Sequence, residues 1–136
     1  MGETVARFGF RATRRADPVT LQLLVDTGST FSWIDGRVLK ELGVRRVRRW
    51  RFRTIEGRQV ARDVGDAFVE YHGEAAPTVV VFATRTDEQV LGLHALKGLG
   101  LQVDPVSGRL RRARTLLALH GGGRPWRNGS LARVGG

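Results

Sequence analysis

Asp26 ends an apolar stretch, Val19-Thr20-Leu21-Gln22-Leu23-Leu24-Val25, and Thr27, Gly28, Ser29 and Thr30 follow it. A carboxylate where a strand enters the core is costly unless it is hydrogen-bonded or functional. Gly28 removes a side chain where two backbones would have to approach closely, and its amide can donate to the Asp26 carboxylate. The chemistry open to such a group is acid-base chemistry. The same tripeptide, Asp-Thr-Gly, is also good turn chemistry.

Other chemistries find little support. The chain has no Cys, which excludes disulfides, a thiol nucleophile and a cysteine-ligated metal. His72, His94 and His120 lack metal-ligand spacing and read as structural or solvent-facing. Ser29 has no local base, and Gly-x-Ser-x-Gly is absent. Gly98-Leu99-Gly100 lacks the rest of a dinucleotide fingerprint, and there is no phosphate loop. No metal and no cofactor is expected. Asp35-Gly36 reads as a helix start and Asp104-Pro105 as a turn, while Asp63 and Asp66 are expected to be exposed rather than catalytic.

The elements that must position Asp26 are mostly strands. Thr4, Ala6, Phe8 and Phe10 alternate with Val5, Arg7, Gly9 and Arg11, a period of two. Asp17-Pro18 marks a turn before the Val19 to Val25 strand. Residues 35–42 predict a short helix with Val38, Leu39 and Leu42 on one face and Gly43 as its C-cap. Residues 44–54 are strand-like and basic, and 60–71 resume a long β pattern. Together they predict a hairpin with its tip near 55–58. The apolar run 78–83 suits a central buried strand. Residues 93–99 predict a second short helix. Leu101 to Val103, a turn over 104–108 and Leu110 predict a closing hairpin. Short strands at this spacing point to a mainly β barrel with one or two short helices.

The segment Leu23-Leu24-Val25-Asp26-Thr27-Gly28-Ser29 resembles the signature of the retropepsin-like aspartic peptidases, and of their bacterial single-domain members in particular. A second match supports it. Val90-Leu91-Gly92 is the apolar-apolar-Gly triplet that in this family follows the flap hairpin and an apolar strand and leads into a helix. Residues 99–105 (Leu-Gly-Leu-Gln-Val-Asp-Pro) look like the closing segment of the bacterial members. The resemblance runs over roughly residues 4–112. It departs from the retroviral members, which carry acidic residues soon after the motif and an Arg after the second Gly. Here those places hold Thr30, Phe31 and Leu93, so both sides of that ion pair are missing together. The tip Thr54-Ile55-Glu56-Gly57-Arg58 has one Gly, where the retroviral flap is Gly-rich.

The resemblance implies an acid-protease closed β barrel that works as a symmetric homodimer, since one chain supplies one Asp-Thr-Gly. It implies an aspartic endopeptidase (a hydrolase) in which Asp26 of each chain forms a dyad sharing one proton and activating a water. Thr27 of each chain would bond across the dimer, and Ser29 would hydrogen-bond the outer carboxylate oxygen. The flap residues Thr54, Ile55, Glu56, Gly57 and Arg58 would close over an extended peptide or protein substrate. Trp33, Ile55 and Leu91 would line apolar subsites, with Leu91 and Gly92 structural beside the site.

Composition fits one domain of 136 residues, with 41% hydrophobic and 26% charged residues, as in an ordinary globular chain. The expected division is a peptidase domain over 1–119 and a flexible basic Gly/Arg-rich tail over 120–136. Removing 121–136 is expected to leave fold and dimer intact. From Arg109 onward there are seven Arg and no acid, so the net charge of +10 lies mainly at that end. No apolar run is long enough for a membrane span, and no signal segment is read at the N-terminus, which makes the cytoplasm the default expectation. Two alternatives remain open: a non-catalytic retropepsin-fold dimerisation module, and a basic nucleic-acid-binding β domain. The second rests on Arg45, Arg46, Arg48, Arg49, Arg51 and Arg53 interleaved with Trp50 and Phe52.

Overall fold

In the computed structural model, residues 3–113 are described. The expectations for the tail at 120–136 and the domain boundary at 119 lie outside the described residues. Strand β1 (Thr4–Arg11) runs antiparallel to β2 (Val19–Val25), with Thr4 opposite Val25 and Phe10 opposite Val19. Phe8 and Phe10 of β1 are fully buried, as the alternation requires. The chain then forms a four-residue strand, β3 (Ser32–Asp35), and turns directly into helix α1 (Gly36–Leu42).

Helix α1 starts and stops by side-chain and backbone chemistry. The Asp35 carboxylate accepts from the Arg37 amide at 2.8 Å, an N-cap. Gly43 closes it in the left-handed region at φ 93°, with its amide donating to Lys40 O at 3.0 Å. The helix therefore begins one residue later than its sequence pattern suggests, with Asp35 as the cap.

Strands β4 (Arg48–Arg53) and β5 (Gln59–Tyr71) form the expected hairpin, with Arg53 opposite Gln59 and Arg48 opposite Val64. A tight turn at His72 and Gly73, both at positive φ, joins β5 to β6 (Glu74–Ala83). β6 begins four residues before the apolar run, because its first half pairs with β5 at the rim. β5 pairs with it as far as Val81 and β3 runs parallel to it from Val80 to Ala83, so it is an interior strand of the sheet, and its residues from Val80 to Ala83 are buried on both faces.

The two-residue β7 (Val90–Leu91) leads into α2 (Leu93–Gly98), and β8 (Leu101–Val103) pairs with β9 (Leu110–Arg112) in a separate small hairpin. The larger sheet is mixed and has seven strands. Its pairings run β1-β2-β7-β3-β6-β5 and return to β1 through Gly9–Glu70, Phe10–Val69 and Arg11–Phe68, so the ring is nearly closed. Strand β4 hangs outside it on the first half of β5. The β3–β7 link is a single residue pair, Trp33 and Val90. Phe8, Phe10, Ile34, Leu39, Leu91 and Leu96 fill the interior. Among the described residues, no helix is long and apolar enough to cross a membrane.

Candidate functional site

Asp26 leaves the end of β2 where that strand lies in parallel beside β7, with Val25 opposite Leu91. The Asp26 amide continues the ladder by donating to Leu91 O at 2.9 Å. The chain then turns sharply. The Ser29 amide donates to Asp26 O at 3.1 Å, and the Gly28 amide donates to Asp26 Oδ1 at 2.9 Å. One carboxylate oxygen is thus held by its own turn, the role expected of the Gly28 amide. Asp26 is half-buried, Thr27 and Gly28 are exposed, and Asp26 has no ion pair among the described residues.

Three expectations are corrected here. A Cβ at Gly28 would meet only Asp26 Oδ1, at 3.3 Å, so no second backbone crowds it within the chain. The glycine crowded beside this turn is Gly92, where a Cβ would lie 2.4 Å from Phe31 O and 2.8 Å from Ser29 O. The Ser29 hydroxyl donates to Phe31 O at 2.7 Å rather than to the carboxylate. Leu91 is fully buried in the core, so it cannot line a subsite.

The close approach at Gly92 fastens two distant segments together. The Gly92 amide donates to the buried Ser32 hydroxyl at 2.9 Å. The Leu93 amide donates to Ser29 O at 2.8 Å, and the His94 amide to Thr30 O at 2.9 Å. Residues 29–32 and 92–94 therefore hold each other by two main-chain bonds and the Ser32 hydroxyl. The sequence reading missed Ser32. A lone serine beside an apolar strand carries no periodic signal, and its partner is 60 residues away.

The hairpin tip is a compact turn. The Thr54 amide donates to Arg58 O at 2.8 Å, the Gly57 amide to Thr54 O at 2.9 Å, and the Arg58 amide to Thr54 Oγ1 at 3.1 Å. Gly57 takes φ 92°, and Ile55 is fully exposed. The Glu56 carboxylate is held below its usual range, first by its own backbone amide and then by the Thr54 hydroxyl. Behind the tip, Trp50 and Phe52 turn inward. Phe31 lies 5.3 Å from Trp50, and Trp33 lies 5.0 Å from Phe52, ring centre to ring centre. The hairpin thus rests on the segment that leaves the Asp26 turn. Trp33 is half-buried in this cluster.

Compared with protein-family models and with curated proteins, the chain matches none.

Five other Asp carboxylates have partners elsewhere. Asp63 pairs with Arg46 at 3.0 Å and Arg49 at 2.9 Å, and Asp66 faces Arg48 at 3.6 Å. Asp63 is half-buried under its two arginines, whereas Asp66 is exposed as expected. Asp104 accepts from the Val106 amide and the Ser107 hydroxyl, both at 3.0 Å, and these bonds lower its pKa. Asp35 is lowered first by the Arg37 guanidinium and then by the Arg37 amide. Asp87 takes a two-pronged bond from Arg62 at 2.7 and 2.9 Å and also accepts from the Thr84 amide, which together hold it below the usual range. Among the described residues, no group of three or more His, Cys, Asp or Glu could hold a metal ion.

An open cleft of about 600 Å³ adjoins the Asp26 turn. Thr27, Leu93, Leu96, Leu101, Val103 and Ala113 line it among others, so one end of the Asp-Thr-Gly turn faces a mostly apolar hollow.

Proposed function

We propose that the chain is one half of a homodimeric, retropepsin-like aspartic endopeptidase, with Asp26 of each protomer forming the catalytic dyad. The observation that carries this reading is the fastening of the Asp26 turn to residues 90–94. Asp26 N bonds Leu91 O, Gly92 packs on the Ser29 and Phe31 carbonyls, and Ser32 bonds the Gly92 amide. This construction rigidly presents a carboxylate at a strand end, which an ordinary surface turn does not need. The nearly closed ring, with a hairpin lying over the same segment, supports an acid-protease barrel with a flap.

The mechanism follows from one carboxylate per chain. Two copies related by a two-fold axis bring the Asp26 side chains together, where a single proton is shared between them. The ionised member accepts a proton from a water as its oxygen attacks the scissile carbonyl carbon, and the protonated member polarises the carbonyl oxygen. The Gly28 amide, already on Oδ1, helps keep the carboxylate aligned. Exposed Thr27 meets the partner, whose approach also covers the cleft beside it. Thr54 to Arg58 close over the extended substrate.

The test is cleavage of an unstructured protein such as casein from about pH 3 to about pH 8, at high enzyme concentration. Wild type is compared with Asp26→Asn, each with and without pepstatin. Cleavage that requires Asp26 and is blocked by pepstatin supports the reading. Cleavage by Asp26→Asn at the wild-type rate would sink the site. No cleavage by a protein shown to be dimeric favours the dimerisation-module reading instead.

A further inference from the structure

Strand β4 ends the sheet. One edge pairs with β5, and no described residue pairs with the other. Such an edge leaves main-chain N–H and C=O groups able to accept an added strand. Its side chains divide by face. Trp50 and Phe52 pack inward on Phe31 and Trp33, so Arg49, Arg51 and Arg53 lie on the opposite, exposed face.

The nearby acids offset only part of this charge. Asp63 takes Arg46 and Arg49, Asp66 faces Arg48, and Asp87 takes Arg62. Arg45, Arg51, Arg53 and Arg58 have no ion pair among the described residues. Arg53 makes only a long bond, 3.4 Å, to Gly57 O. Unpaired guanidiniums beside a free strand edge match a chain that brings both a backbone and carboxylates.

We propose that the free edge of β4 is a docking site for an extended acidic protein segment, which adds as a strand and sets its carboxylates against Arg51 and Arg53. Single-stranded RNA fits this surface less well. It needs aromatic faces on which bases stack, and Trp50 and Phe52 already spend theirs on Phe31 and Trp33. The proposal does not depend on Asp26 and stands or falls separately from the peptidase reading.

The test titrates the full chain, as wild type and as Asp26→Asn, with a labelled peptide alternating Glu with Val and read by fluorescence anisotropy. Controls are the same peptide with Gln for Glu, the same peptide N-methylated at alternate residues, and an oligouridylate. The acidic peptide is expected to bind at least about tenfold more tightly than the Gln peptide, with the difference shrinking as salt rises. Arg51→Gln/Arg53→Gln is expected to remove most of that difference while circular dichroism stays unchanged. N-methylation of the set facing β4 is expected to abolish binding. Equal binding of Glu and Gln peptides, or indifference to the arginine changes, would overturn the proposal. So would binding that survives N-methylation of each of the two alternate sets in turn, and so would tighter binding of oligouridylate than of the acidic peptide.

Discussion

At Gly92 the space for a side chain is already occupied by backbone. Gly92→Ala would push a methyl group into the Phe31 and Ser29 carbonyls. We expect it to lower stability by at least about 2 kcal/mol, read by urea denaturation. Ser32→Ala leaves the Gly92 amide buried without its acceptor, a loss of about 1–3 kcal/mol in the same measurement. A neutral result for both would mean that the two segments are not fastened as described. Asp87 predicts an acid response. Its folded pKa is lowered, so its contribution is full above the ordinary carboxylate value, about 4, and is lost progressively as pH falls below that value towards the lowered folded one. Asp87→Asn should therefore be less stable than wild type at neutral pH. Between about pH 6 and about pH 3 its stability should change less than that of wild type. Parallel loss in both proteins would remove Asp87 from the account.

At the scale of elements, the hairpin of β4 and β5 is tied to the Asp26 turn through rings rather than through a strand pairing. A double-mutant cycle on Phe31→Ala and Trp50→Ala should give a coupling of about 0.5–1.5 kcal/mol. Zero coupling would mean that the rings are neighbours without holding the hairpin down. This layer was partly legible beforehand. The period-two alternation located β1, β2 and the hairpin, and Gly43 marked the end of α1. Strands β3 and β7 escaped because four and two residues are too short to show a period. The Asp-Thr-Gly turn and the Val90-Leu91-Gly92 triplet were legible as composition. That Gly92, rather than Gly28, is the glycine crowded beside this turn depends on a tertiary approach that no local pattern encodes. The same limit explains Trp50 and Phe52. Their spacing put them on one face, but only packing shows that this face turns inward.

For the whole molecule, the proposal requires a second copy. Sedimentation at rising concentration should show a dimer for wild type and for Asp26→Asn alike, since the amide keeps the shape of the carboxylate. Loss of the dimer in that variant would mean that Asp26 is structural. If the dyad works as proposed, cleavage should fall above neutral pH, once the pair no longer holds its proton. A rate still rising at about pH 9 would contradict a dyad holding one proton.

The parallel pairing of β2 with β7 also has a consequence for how the chain is made. Asp26 is synthesised early, but Leu91 and Gly92, which fix its turn, arrive only after the whole β5–β6 hairpin. Contacts of such long sequence separation form late, because the intervening loop must first be closed. A nascent chain therefore carries Asp26 without the anchor of its turn until residues 90–94 have been made. A fragment ending before Val90 keeps only the local Gly28 and Ser29 bonds to Asp26 and lacks the anchor to β7. Amide protection at Asp26 should appear in a series of lengthening fragments only when residues 90–94 are included.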